Sequence, residues 1–290
     1  MKTEKNKKGF TLAELLTAVV IIAILIGILM PALNMARNYA KNAKQKVQIS
    51  SIEVGINMYR NDFGEYPPSH GDNGSGAADY KYCGAQTLAE AMFGYDLMGF
   101  HPNSGFDAVK NLGTTVYKAS DDDNLKARKG LYIDRTNLGV FDANDVFGSS
   151  VSAIQIDGYM ICDIFDATGK FKMVSGGTKK LKIGTPILYY RANTASLDIN
   201  PGTAKNDRIY DYEDNDGITI TLGTVKDGTT HSDFTEATGP KNFLTYIEDP
   251  MASTSSRARP VRPDSFLLIS AGQDGLYGTS DDVCNFEPNF

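Results

Sequence analysis

Two sets of side chains in this 290-residue chain have the types and spacing for chemistry. Glu14 is the one charged residue between Lys8 and Arg37, inside the run GFTLAELLTAVVIIAILIGILMPAL. A carboxylate at the edge of an apolar span is costly unless something meets it, which marks Glu14 as a functional group. Its simpler reading is an acid at a helix N-terminus favoured by the macrodipole, worth about 0.3–1 kcal/mol. The second set closes the chain. Asp274, Thr279, Asp281 and Asp282 place hard oxygen donors within a few residues, and Gly272, Gly275 and Gly278 let the backbone curve around them. Calcium takes about six to eight oxygens at about 2.3–2.6 Å, so such a loop suits Ca2+ better than magnesium or zinc. The alternative is a run of solvated Asp-Gly and Ser-Asp-Asp turns.

The inventory for catalysis is poor, and the expectation is that the chain is not an enzyme. His70, His101 and His231 stand far apart without HExxH spacing, and neither a GxSxG elbow nor a phosphate-cradling GxxxxGK[ST] loop occurs. Cys83, Cys162 and Cys284 form no CxxC, and an odd count cannot pair completely. Cys162, in GYMICDIF, reads as a buried strand residue. A Cys83–Cys284 disulfide is one reading in an oxidising compartment, and two free thiols is the other. The acidic stretch DYEDNDGIT (211–219) has Tyr212 where a calcium loop needs its first ligand and Gly223 where it needs its last, and reads as an acidic turn.

The elements that position these residues begin with a helix. Between Glu14 and Arg37 lie about 20 residues free of charge, enough to span a bilayer once. A cleaved secretory signal would be shorter and followed by a small-residue site, and basic residues flank both sides, so charge alone leaves orientation open. From Asn34 to Asp62 the pattern turns amphipathic: Ile52, Ile56, Tyr59 and Phe63 follow i, i+4, i+7, i+11. Pro31 removes a backbone donor and predicts a bend or a loosened turn, while Gly64, Pro67 and Pro68 end the helix. A short helix is expected at 85–95. Strands are expected at 158–165, 169–176, 185–193 and 217–225, with FLLIS near the end of the chain. Residues 1–63 hold nine Lys or Arg against four Asp or Glu, leaving 20 against 31 for the remainder, a net of −11. An acidic head on a basic stem does not suit nucleic acid, which needs a basic surface.

The segment KKGFTLAELL, followed by so long an apolar run, resembles the class III signal of type IV pilins and of type II secretion pseudopilins. The resemblance implies cleavage between Gly9 and Phe10 by a prepilin peptidase on the cytoplasmic side, with N-methylation of Phe10. The new ammonium would then lie in an apolar helix bundle, where an unpaired ion costs several kcal/mol, and Glu14 of a neighbouring subunit would neutralise it. Pro31 would mark a segment that loosens on packing. The C-terminal loop is similar to the calcium loop of major pseudopilins. That likeness implies ligation by Ser270, Asp274, Asp281 and Asp282 with the Leu268 carbonyl, although Asp281 and Asp282 are adjacent where the family separates its aspartates.

The fold implied is α+β: a long N-terminal helix, first half transmembrane and second half amphipathic, packed on an antiparallel β-sheet. The expected divisions are a leader (1–9), a membrane or filament-core helix (10–36), its amphipathic continuation (37–63) and an extracytoplasmic head (64–290). Within the head, residues 77–180 have no equivalent in a minimal pseudopilin and are expected as a surface insertion, with 185–290 supplying the sheet and C-terminal loop. The function implied is that of a structural subunit of a homo-oligomeric helical filament, assembled from the inner membrane by a platform and its ATPase, with minor pseudopilins as further partners. The alternative is a membrane-anchored ligand-binding or adhesive module on the same anchor, with 77–180 as its binding part.

Overall fold

The computed structural model describes residues 9–72, 78–107, 116–149, 151–174, 179–196, 199, 208–223, 230–231, 234, 242–254 and 257–290. The chain divides into two compact units, Met1–Ala43 and Lys44–Phe290. Helix α1 runs Leu12–Phe63, and its assignment continues unbroken through Pro31. Pro31 has no N–H to offer the Gly27 carbonyl, so the expected loosening amounts to one missing backbone bond within a continuous helix.

In the first unit every large apolar side chain from Phe10 to Met35 is exposed. A helix that is apolar on all sides has no water-soluble solution except burial against other chains or lipid, and this one is long and apolar enough to cross a membrane.

The second unit is α+β, with small antiparallel sheets in place of the single sheet expected. β1 (His70–Asp72) pairs β2 (Ala78–Cys83), β3 (Gly139–Asp142) pairs β4 (Tyr159–Cys162), and β5 (Lys170–Val174) pairs β6 (Lys179–Ile183). The central sheet joins β7 (Leu188–Arg191), β8 (Phe266–Ser270) and β9 (Val283–Cys284) in that order. Along β7 and β8 the side chains alternate between two cores. Leu188, Tyr190, Leu267 and Ile269 enter one, and Tyr189, Phe266 and Leu268 enter the other. The predicted helical stripe joins the second core: Ile52, Ile56 and Tyr59 are buried and Phe63 packs at the edge. Gly64 closes the helix at φ +83°, its N–H returning to the Arg60 carbonyl at 2.7 Å.

Helix α2 (Gly84–Phe93), predicted at 85–95, is buried along its whole length. Gly84 is required there: a Cβ would lie 2.1 Å from the Tyr189 carbonyl oxygen. Within residues 77–180, α2 and β4 supply apolar residues to the cores that cover the central sheet.

Two further expectations are corrected. Residues 217–225, read as a strand, form helix α3 (Asp216–Leu222) as far as they are described, with 224–225 outside the described residues. A strand would place Ile218 and Ile220 on one face, yet Ile218 is fully buried and Ile220 is 57% exposed. The hydroxyls of Thr219 and Thr221 fold back onto the Asp216 and Gly217 carbonyls, which reconciles β-branched residues with a helix. The disulfide reading also fails, for Cys83, Cys162 and Cys284 are free thiols. Cys83 caps α2 beside Gln86, while the Cys284 sulfur lies 3.1 Å from the Tyr246 hydroxyl.

Ile56→Ala is expected to destabilise the second unit by about 2–5 kcal/mol, since it empties a fully buried site between α1 and the sheet. Urea denaturation of the full chain in detergent, followed by near-UV circular dichroism, measures this.

Candidate functional site

In the first unit, Gly9 and Phe10 precede the helix. Gly9 is exposed, with nothing within 4 Å of the place a Cβ would take, and Phe10 is 82% exposed. The basic leader, residues 1–8, lies outside the described residues. Glu14 sits at the third helical position and makes a reciprocal capping box with Thr11. The Thr11 backbone N–H and hydroxyl donate to Glu14 Oε2 at 2.9 and 2.8 Å, and the Glu14 N–H donates to Thr11 Oγ1 at 3.2 Å. The helix leaves its first N–H groups without internal partners, and this arrangement satisfies two of them. Thr11 was missed by sequence reasoning focused on the carboxylate, although T-x-x-E ahead of an apolar run is itself the signature of such a box.

In the second unit, β8 delivers the chain into the acidic loop, where Gly272, Gly275 and Gly278 all take positive φ. Gly272 has no room for a Cβ, which would sit 2.4 Å from the Asp281 carbonyl oxygen. Thr279 Oγ1 donates to Asp281 Oδ1 at 2.6 Å and reaches Asp282 Oδ1 at 3.4 Å. Asp281 Oδ2 accepts from the Gln273 and Asp274 N–H groups, and Asp274 Oδ1 from that of Leu276. Asp282 Oδ2 accepts from the Gly278 N–H and from the Tyr246 hydroxyl at 2.6 Å. Burial pushes the Asp282 carboxyl up to about 8 against these donors, with the Asp281 charge adding to the rise. Burial, then Asp281, raises Asp274 as well.

Asp274, Thr279, Asp281 and Asp282 are thus brought together, and their hard oxygens are those a calcium ion takes. Two other expected ligands are engaged elsewhere. Ser270 Oγ faces Asp163 Oδ2 at 3.3 Å, and the Leu268 carbonyl accepts from the Asn285 N–H at 3.3 Å. Asp163 is pushed up to about 7 by burial, opposed by the Phe165 and Thr185 N–H groups. Among the described residues, no group of three or more His, Cys, Asp or Glu is arranged to hold a metal ion. The loop is closed by its own backbone donors.

The acidic turn at 211–219 has a structural task. Asn215 Oδ1 accepts from the Ala85 N–H at the start of α2, and its Nδ2 donates to the Tyr189 carbonyl at 2.8 Å, tying α2 to β7.

Residues 5–30 match the prokaryotic N-terminal methylation motif. The match spans the apolar run, Glu14 and the Gly9–Phe10 junction, and it supports a type IV pilin-like protein anchored by its N-terminal helix. It points to a structural subunit rather than an enzyme. No curated protein and no solved structure matches the chain.

Thr11→Val is expected to remove the two hydrogen bonds of the Thr11 hydroxyl to Glu14, leaving the backbone N–H bond to Oε2, and to weaken the first turn of α1 by about 0.5–2 kcal/mol. Amide hydrogen exchange in micelles reports it as faster exchange at Glu14, with residues beyond Thr17 unchanged.

Proposed function

We propose that the chain is a filament subunit of the type II secretion pseudopilus class, made as a membrane-anchored precursor and polymerised from the inner membrane with its head on the periplasmic side. The observation that carries this is the junction itself. A methylation motif at residues 5–30 passes directly into a helix whose apolar side chains are exposed on every side. Such a surface is stable in lipid, and extraction from lipid requires an equally apolar partner, which further copies of the same helix provide.

In this reading a prepilin peptidase cuts between Gly9 and Phe10 and the new Phe10 amine is methylated. Its charge, drawn into a helix bundle, is met by Glu14 of a neighbouring copy. Thr11 holds Glu14 in the single chain and so keeps the carboxylate solvated until a neighbour replaces those hydrogen bonds. An assembly platform with its ATPase supplies the mechanical work, and minor pseudopilins begin the filament. Calcium binding would turn Asp274, Thr279, Asp281 and Asp282 away from the backbone donors that close the loop and toward the ion, which supplies positive charge to a crowded acidic loop.

Three outcomes test this. Gly9→Val leaves a precursor longer by the leader and absent from filaments, seen by N-terminal sequencing of the sheared fraction; assembled protein beginning at Met1 would refute the processing step. Glu14→Ala inserts and folds normally but yields no filaments by electron microscopy, whereas wild-type yield would mean that Phe10 is neutralised in another way. Calcium at 100 times its dissociation constant raises stability by about 2.7 kcal/mol. This appears as a higher melting temperature that chelator reverses and Asp274→Ala abolishes. Calorimetry without calcium binding at millimolar concentration would return the loop to a role in packing alone.

A further inference from the structure

The hairpin of β5 and β6 carries charge opposite in sign to the acidic head around it. Residues 170–183 hold five lysines and no acidic residue, on a head whose net charge is −11. The register decides which side chains share a face. Phe171 lies opposite Lys182 and Met173 opposite Lys180, while Lys170 and Lys172 fall on the other face with Ile183. That other face is turned to the protein: Ile183 is buried, Lys170 Nζ donates to the Val146 carbonyl, and Lys172 pairs with Asp145.

The first face is open. Phe171 is 51% and Met173 48% exposed, and the Lys180 ammonium lies over the Phe171 ring at 4.3 Å. Lys182 pairs with Asp166 at 3.2 Å yet is 70% exposed, and a surface pair of this kind loses little when its lysine meets another anion. With Asp145 and Asp166 both counted, the hairpin keeps a net charge of +3. A two-stranded ribbon is marginal by itself, so an open face with two large apolar side chains gains from a surface to lie on.

Apolar side chains set among lysines suit a surface that is anionic outside and apolar just beneath, which is the headgroup boundary of a bilayer. A nucleic acid offers the phosphates without the apolar layer, and the acidic head repels a long polyanion. The anchor keeps a bilayer at hand, for α1 is long and apolar enough to cross one. The hairpin is rooted where Thr168 Oγ1 donates to the Ile183 carbonyl and the Thr185 N–H donates to Asp163 Oδ1. This root meets α1 at Gln45, whose Oε1 accepts from the Ile164 N–H, and Gln45 comes eight residues after Arg37, where the apolar run gives way to charge. For a chain already tethered to the membrane, docking is an intramolecular event, and weak contacts suffice.

We propose that the open face of this hairpin, formed by Phe171, Met173, Lys180 and Lys182, docks the head onto anionic phospholipid of the membrane that holds α1. The inference goes beyond the filament reading and rests on the membrane anchor alone.

The chain contains no tryptophan, so Phe171→Trp places a single fluorescent reporter in the docking face. The full chain carrying it is reconstituted into phosphatidylcholine vesicles with brominated acyl chains, with and without phosphatidylglycerol. Blue-shifted emission quenched by bromine is expected in the anionic vesicles, weak in the neutral ones and reversed by raised salt. Lys180→Gln combined with Lys182→Gln is expected to lower the docked-to-free ratio about 25-fold, at about fivefold per lysine. Glu14→Ala, the variant that tests filament formation, retains the quenching, so the two readings fail separately. Should Phe171→Trp lower the melting temperature, Met173→Trp is the reporter that decides. Quenching that is absent, or equal in the two kinds of vesicle, overturns the proposal. A blue shift that bromine does not quench and that grows with protein density means contact with a second copy and overturns it as well, as does a response to duplex DNA with none to phosphatidylglycerol.

Discussion

Leu188, Tyr190, Leu267 and Ile269 leave one face of the central sheet while Tyr189, Phe266 and Leu268 leave the other, so neither face can meet water. This double burial governs the second unit. At about 25 cal/mol per Å2 of apolar surface, each large side chain on these strands contributes about 1.5–3 kcal/mol only if something covers it. The later half of α1 and most of α2 cover one face, while Ala85 of α2 joins the core on the other. Phe234, Phe243 and Tyr246 join the cover of the other, packing edge to face with one another. Strands buried on both faces read as continuous apolar runs rather than alternating ones, which is how FLLIS and PILYY appear in the sequence.

Apolar cover alone would leave the helices free to slide, and buried polar contacts remove that freedom. Gln48 Nε2 donates to the Cys162 carbonyl at 2.9 Å and Gln45 Oε1 accepts from the Ile164 N–H at 3.1 Å, which locks α1 against β4. Glu90 of α2 accepts from the Tyr82 and Tyr117 hydroxyls at 2.6 and 2.8 Å. Asn215 joins α2 to β7. Each of these bonded atoms would be costly to bury alone, so the packing that pairs them is favoured over its near neighbours, although Gln45 Nε2 and Gln48 Oε1 are buried without a partner among the described residues.

Helix α1 shows one secondary structure in two physical settings. Its later half has a single apolar stripe with charge elsewhere and is covered within its own chain. Its earlier half is apolar all round, and its large apolar side chains are exposed. The capping box of Thr11 and Glu14 satisfies two of the first N–H groups, and what the earlier half chiefly lacks is apolar contact. Membrane anchoring and association with further apolar helices both answer that lack.

The sequence by itself determined the anchor. Glu14, the run to Leu33 and the stripe of Ile52, Ile56 and Tyr59 are legible because helical periodicity and charge exclusion act over neighbouring residues. The acidic glycine loop was legible for the same reason, since its oxygens lie within one turn of chain. Tertiary structure decided the rest. Residues 217–222 carry β-branched side chains that suit a strand, yet they form a helix because Ile218 and Ile220 meet opposite environments that no local pattern specifies. Cys83 and Cys284 share one apolar core without bonding, for each sulfur is directed to a different neighbour. Ser270 and the Leu268 carbonyl, close in sequence to the loop, were drawn to Asp163 and Asn285 by the pairing of β8. Asp214 and Arg208 meet Ser69 and Tyr80 only because β2, β7 and the turn at 211–215 converge, and contacts between segments more than a hundred residues apart leave no spacing to read.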